Sequence, residues 1–263
     1  MTESPQLEYD AYTGEPFLRL PHPYDHIIIT PPRLSDASEL KALLNDPKVY
    51  LTLHGPPFPY LEEHAVGWLK LVTQQADRAL HEFLEREEFG KDDSVFGGLV
   101  RSCPVRYIRE LHEDGTDVLL GDIDVHRCQY PDVEDIDQRE RLSRENAVRE
   151  LGDPELAWCI GCEYLPPHCL DVASPLTVLK PDFLASSHHG KGIMTTALST
   201  IMNRWLVPQM GVRLIRVEVF EGNVGSVRVF EKNGFKLEGT VPQRMVTNSG
   251  VKVTGMHVLS WRA

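Results

Sequence analysis

What the 263-residue chain lacks narrows its range first. No stretch approaches the roughly 18 consecutive apolar residues of a membrane helix, and the first thirty residues hold no basic start followed by an apolar core and a cleavage site. A cytoplasmic protein with no membrane partner is the expectation. Cationic side chains are in deficit, 27 Lys and Arg against 39 Asp and Glu, for a formal net charge of -12, and they form no run. A protein that neutralises nucleic-acid phosphates needs a basic patch, so no direct nucleic-acid contact is expected. An acidic surface suits a cationic amine or a basic peptide, and it equally serves plain solubility. Cysteines are few. Cys103, Cys128, Cys159, Cys162 and Cys169 are odd in number and irregular in spacing, which fits reduced thiols rather than a disulfide framework. Cys159, Cys162, His168 and Cys169 make a poor zinc site, because in the strand-like stretch 155–164 side chains three apart point to opposite faces. No metal is expected.

What is present concentrates in residues 188–197, His-His-Gly-Lys-Gly-Ile-Met-Thr-Thr-Ala. Gly190 and Gly192 stand at the mouth of a helical pattern, where backbone N–H groups have no internal partner and no side chain keeps a pyrophosphate away. Ile193, Met194, Ala197, Leu198, Ile201, Met202 and Trp205 recur at helical spacing, so the loop opens a helix with a buried face. Two familiar phosphate motifs do not fit. The nucleotide-triphosphate loop needs a glycine and a Ser or Thr where this chain has Ala185 and Gly192, and the dinucleotide fingerprint needs a third glycine where it has Thr195.

A second constellation follows. Residues 213–220 read as a strand and 223–235 as a short helix, capped by Asn223 and stopped by Gly234. Elsewhere the pattern predicts a strand over 26–30, a helix from a Ser35 cap to about Leu44, and a helix over 61–89 that breaks or runs through. Strands are expected over 95–109, 116–128, 155–164, 237–246 and 251–260, the last two joined by the turn 247–250, with a solvated helix within 131–153. Residues 1–23, rich in proline, read as an arm over the domain or a partly disordered one.

The two constellations, in this order, resemble those of the GCN5-related N-acetyltransferase (GNAT) superfamily, in particular its ribosomal-protein N-terminal acetyltransferase branch. The acetyl-coenzyme A loop of that family matches residues 189–194, and its Asn-x-x-Ser followed by Glu-Lys-x-Gly-Phe matches 223–235. A weaker match covers 30–40, 45–49 and 61–65. The resemblance implies an α/β (α+β) fold, a central mixed, mostly antiparallel twisted sheet flanked by helices, with splayed strands forming the coenzyme cleft. It implies a single domain over 24–263, with insertions near 73–95, 129–153 and 166–187.

The implied activity is direct acetyl transfer from acetyl-coenzyme A to a primary amine, a protein or peptide N-terminus or a small molecule, by a monomer or homodimer. The cofactor-binding set carried over is Leu184, His189, Gly190, Lys191, Gly192, Ile193, Met194, Thr195, Asn223, Ser226 and Phe230. Phe230 stands where many members of the superfamily have a tyrosine as general acid, and a phenyl ring cannot donate. Ser226 takes that role in the resemblance, and Glu218 is the candidate base. Leu184 is the residue just before the loop turns. The acceptor walls are expected at 55–60 and 246–252, with Phe58 and Tyr60 as either wall or core. The reading from another class is a non-catalytic acyl-coenzyme A binding or sensing domain; a docking protein using the charged region 131–153 would show no coenzyme affinity.

Overall fold

In the computed structural model, residues 7–89, 98–161 and 182–263 are described. They build two sheets bridged by one long helical segment. The first sheet has six antiparallel strands in the order β1 (Glu8–Tyr9), β2 (Pro16–Arg19), β3 (Ile27–Thr30), β4 (Tyr107–Leu111), β5 (Asp117–Asp122) and β8 (Phe183–Leu184). The second has the order β10 (Lys236–Val246), β11 (Lys252–Arg262), β9 (Leu214–Phe220), β7 (Ala157–Ile160) and β6 (Val125–Arg127). Within it only β7 and β9 run parallel. The mixed, mostly antiparallel sheet expected from the resemblance is therefore present, parted into two halves.

β3 is Ile-Ile-Ile-Thr, buried on both faces, as a run of β-branched residues favours. Over the first sheet lie α1 (Ala37–Leu44), α2 (Pro47–Tyr50) and α3 (Glu62–Phe89). α3 runs unbroken, and its buried Ala65, Trp68, Leu69, Val72, Ala76, Ala79 and Phe83 recur every three or four residues, one apolar stripe along a helix. α1 does not start on Ser35: a 3-10 turn, Leu34–Asp36, precedes it, and Asp36 instead accepts the Arg33 N–H at 2.8 Å.

The larger core forms where α5 (Ile193–Ile201), a π-helical turn (Met202–Leu206) and α6 (Val207–Met210) cross both sheets. Ile193, Ala197, Leu198, Ile201 and Trp205 meet Leu18, Ile27, Ile29 and Ile108 of the first sheet and Ile160, Ile215, Val217 and Leu259 of the second. The wide turn has a cause in the sequence. Pro208 has no N–H to give, and the Val207 N–H reaches the Met202 carbonyl one residue further back than an α-helix allows.

Several expectations shift at this level. The described part of the 1–23 segment adds β1 and β2 to the sheet edge. The 95–109 strand shortens to β4, its first three residues lying outside the described ones, and 116–128 divides into β5 and β6, which belong to different sheets. Of 155–164 only β7 is strand among the described residues, while α4 (Ile136–Val148) fulfils the solvated helix. Cys162, His168 and Cys169 lie outside the described residues, as does most of 166–187, where an insertion was expected. Cys103 and Cys128 are free thiols, but Cys159 is disulfide-bonded, against the expectation of reduced thiols throughout. Among the described residues, no helix is long and apolar enough to cross a membrane.

Candidate active site

A cavity of about 650 Å³ opens where the sheets part, lined by β8 from the first sheet and by the ends of β7 and β9 from the second. The remaining wall comes from the glycine loop, α5, α7 (Val224–Lys232), Met256 of β11 and the segment following α2. The chain leaves β7 at Gly161 and re-enters at Asp182 at this rim: a Cβ on Gly161 would sit 2.6 Å from an Asp182 carboxylate oxygen.

The loop is shaped by its glycines. Gly190 and Gly192 have φ of 73° and 83°, the left-handed region that glycine adopts without strain. The first bond of α5 runs from the Thr196 N–H to the Gly192 carbonyl, leaving the N–H groups of Ile193, Met194 and Thr195 without helical acceptors at the cavity wall. Gly190 is exposed, and a Cβ there would meet nothing within 4 Å. The donors and the space suit a pyrophosphate; these residues fit the coenzyme implied by the sequence.

Three distant elements brace the loop. Tyr24 donates its hydroxyl to the Lys191 carbonyl at 2.5 Å, Ser186 donates to Asp46 at 2.5 Å, and His188 lies 3.4 Å from Glu110. His189 bonds the Leu184 carbonyl at 2.7 Å, which ties the loop to the end of β8. At the other side, the Asn233 amide donates to the Thr195 carbonyl at 3.1 Å and to the Val229 carbonyl at 2.9 Å, fixing α7 against the first turn of α5. Asn223 caps α7 by accepting the Ser226 N–H at 3.2 Å.

Of the residues singled out in the sequence, Leu184, His189, Gly190, Gly192, Ile193, Met194, Thr195, Glu218, Asn223, Ser226 and Phe230 all line this cavity. Lys191 does not: its side chain is exposed, and its carbonyl is the atom the loop uses. Phe230 is also a core residue, 5.2 Å from Phe235 ring to ring. Tyr60 is buried in the smaller core, while Phe58 is exposed and lies against Tyr50. The two expected acceptor walls meet each other: the Asn248 amide in the β10–β11 turn donates to the Gly55 carbonyl at 2.8 Å. Tyr24, Asn233, His54 and Arg139 were not found by sequence reasoning. Tyr24 and Asn233 act through backbone carbonyls remote in the chain, which leave no local signature.

Two carboxyls dominate the electrostatics. Burial, then the nearby Asp132 carboxylate, pushes Glu218 up to about 8. Asp182 is also held well above the usual carboxylate range, by burial first and by Asp122 and Asp124 beside it. Asp122 is raised to about 6 by burial, although Arg106 donates to it twice, at 2.7 and 2.8 Å. His54 is lowered by burial and so is held neutral.

Comparison with known proteins falls on these same elements. Residues 182–236 match the model of the acetyltransferase (GNAT) domain, the segment from β8 through the glycine loop, α5, β9 and α7. A relative in Bacillus subtilis named "Probable N-acetyltransferase YjcK" is 35% identical over 74 residues, which is 28% of this chain and 37% of that protein. The match thus spans little more than a third of the relative. Among solved structures, the ribosomal L7/L12 alpha-N-protein acetyltransferase RimL, in its apo form, is similar with a TM-score of 0.53 at 12% identity, over 98% of this chain and 99% of that one. The microcin C7 self immunity acetyltransferase MccE, in complex with acetyl-CoA and AMP, is similar with a TM-score of 0.50 at 14% identity, over 91% of this chain and 93% of that one. At these identities the likeness is one of fold. The chain has the GNAT fold, and its segment 182–236 matches the model of the acetyltransferase (GNAT) domain.

Proposed function

We propose that the protein is an acetyl-coenzyme A-dependent N-acetyltransferase acting on a primary amine, either a protein or peptide N-terminus or a small molecule. The observation that carries this reading is the start of α5, where Ile193, Met194 and Thr195, whose N–H groups have no helical acceptor, line the cavity between the two sheets. Gly190, Gly192, Ile193, Met194 and Thr195 would hold the pyrophosphate, and Leu184 at the end of β8 would lie along the pantetheine arm. A solved protein of this fold was captured with acetyl-CoA, which supports the choice of co-substrate.

The chemistry divides among few side chains. Holding the thioester beside the amine supplies the proximity term, on the order of 7 kcal/mol or more. Glu218, at the cavity wall, takes a proton from the ammonium so that the neutral amine attacks. The C–N bond forms as the C–S bond breaks, and Ser226 gives a proton to the departing thiolate. Phe230 supplies no proton and packs instead. The acceptor enters beside residues 52–54, which line the cavity, next to the segment that Asn248 of the β10–β11 turn holds through the Gly55 carbonyl.

A coupled assay tests this reading: binding of acetyl-CoA by calorimetry, then thiol release over a panel of amines and peptide N-termini. Turnover with any amine supports it. Coenzyme binding with no turnover favours the acyl-coenzyme A sensing domain that Phe230 suggests, and no binding defeats both.

A further inference from the structure

One stripe of α7 brings two cations to the cavity wall. Gly225, Arg228 and Lys232 follow one another at helical spacing and all line the cavity. Arg228 and Lys232 are exposed, one turn apart, and neither has an ion-pair partner among the described residues. Like charges at this spacing repel, although the chain has 39 acidic residues against 27 basic ones from which a partner could be drawn. Glu231, the acid of α7, is exposed and stands off the cavity wall. The helix dipole favours a cation in the last turn, where Lys232 is, but gives no reason for one at Arg228, in the middle of the helix. Two unpaired cations at the wall of a cavity, in an acidic chain, point to an anion that binds there.

The helix is fixed so that these cations stand at the phosphate end of the cavity. Asn233, next after Lys232, donates to the Thr195 carbonyl at 3.1 Å, in the first turn of α5 where the donors for the diphosphate are. Ser226 lies toward the other end of α7, about 9 Å along the axis from Lys232. In coenzyme A the 3′-phosphate and the 5′-diphosphate hang from one ribose, so whatever takes the first must stand beside the donors for the second. A guanidinium and an ammonium together suit a doubly charged phosphate monoester. We propose that Arg228 and Lys232 form a subsite for such a group, the ribose 3′-phosphate of the coenzyme. They thereby select coenzyme A over a donor with the same pantetheine arm and diphosphate but without that phosphate. This rests on the reading of the cavity as the coenzyme site. Neither residue is among the cofactor-binding positions that the family resemblance supplies.

The test is calorimetric titration of the full-length protein with coenzyme A and, separately, with dephospho-coenzyme A, repeated on the double variant Arg228→Gln, Lys232→Gln. Expected is parent binding of coenzyme A at least about tenfold tighter than of dephospho-coenzyme A, as the loss of charge-assisted hydrogen bonds implies. In the double variant the two affinities should come within about twofold, through weaker binding of coenzyme A with that of dephospho-coenzyme A unchanged. Both substituted side chains are exposed, so the fold is expected to hold; should the double variant not fold, Arg228→Gln alone is read the same way. Equal affinities in the parent, or discrimination kept in the variant, overturn the proposal. A variant that weakens both ligands alike also overturns it, since the cations then act on the diphosphate. Parent protein that binds neither ligand defeats the coenzyme reading itself, an outcome distinct from binding both equally.

Discussion

The hydroxyl of Tyr24 donates a hydrogen bond to the carbonyl of Lys191 across 167 positions of sequence. The same hydroxyl lies 2.9 Å from where a Cβ of Gly192 would be. The glycine loop is therefore not free to set its own shape; a residue at the turn before β3 holds it.

Removing that bond should loosen the loop without unfolding the protein. Tyr24→Phe keeps the ring and is expected to weaken coenzyme A binding by about 1 kcal/mol, roughly fivefold in Kd, with kcat at saturation little changed. Calorimetric titration checks it, and an unchanged Kd would show that the loop holds its shape unaided.

The two loop glycines should respond differently. Alanine at either meets the cost of the left-handed backbone, about 1–2 kcal/mol. At Gly190 the methyl group meets no atom, so the backbone cost is the whole of the loss in stability. At Gly192 it also strikes Tyr24, so the melting temperature falls as well. Equal melting temperatures for Gly190→Ala and Gly192→Ala would refute the bracing by Tyr24.

Ser226→Ala should lower kcat by about tenfold to a hundredfold while leaving the Kd for coenzyme A within about twofold, since the hydroxyl is assigned a proton and not a phosphate. Single-turnover kinetics read this directly. Full turnover in the variant would remove Ser226 from the mechanism.

Glu218 also makes a stability prediction. Its carboxyl titrates at about 8 when folded against an ordinary 4.5, so the folded state holds the proton more tightly. Its favourable contribution is complete below pH 4.5 and is lost as the pH rises through 8. Glu218→Gln cannot ionise, and should gain in stability relative to the parent across that window. Thermal melts across that range check it; a difference that does not vary with pH would contradict the raised carboxyl.

Arg106 is the cation of a buried group, 2.7 Å from Asp122 and 2.6 Å from Asp124. Truncation in Arg106→Ala removes the cation from both carboxylates, leaving Asp124 its 3.0 Å contact with His126 and Asp122 buried without its ion-pair partner, and should cost about 3–5 kcal/mol in denaturant unfolding. A cost below about 1 kcal/mol would mean that the two acids are protonated or hydrated in the fold.

How much of this was legible in the sequence follows from what kind of signal each part carries. The glycine loop, its helix and the Asn223 cap are local: they depend on residues within one or two turns, and they stand where the pattern places them. The long α3 was legible from its stripe. The division of 116–128 into two strands was not, because β5 and β6 are separated by two residues and assigned to different sheets only by their partners, β4 and β7. Likewise Asp132 sits in a stretch that reads as solvated charge, and only the fold brings it to 2.7 Å from Arg216. Tyr24 and Asn233 reach backbone carbonyls, and no residue type at the receiving end marks such a bond.

The measurement that bears most directly on the central claim is calorimetric titration of the full-length protein with acetyl-CoA, repeated on Gly190→Val. The account predicts a single site with Kd in the micromolar range in the parent, and loss of binding in a variant that still melts cooperatively. Absence of binding in the parent, or equal affinity in a folded Gly190→Val, would contradict the assignment of the cavity between the two sheets as the coenzyme site.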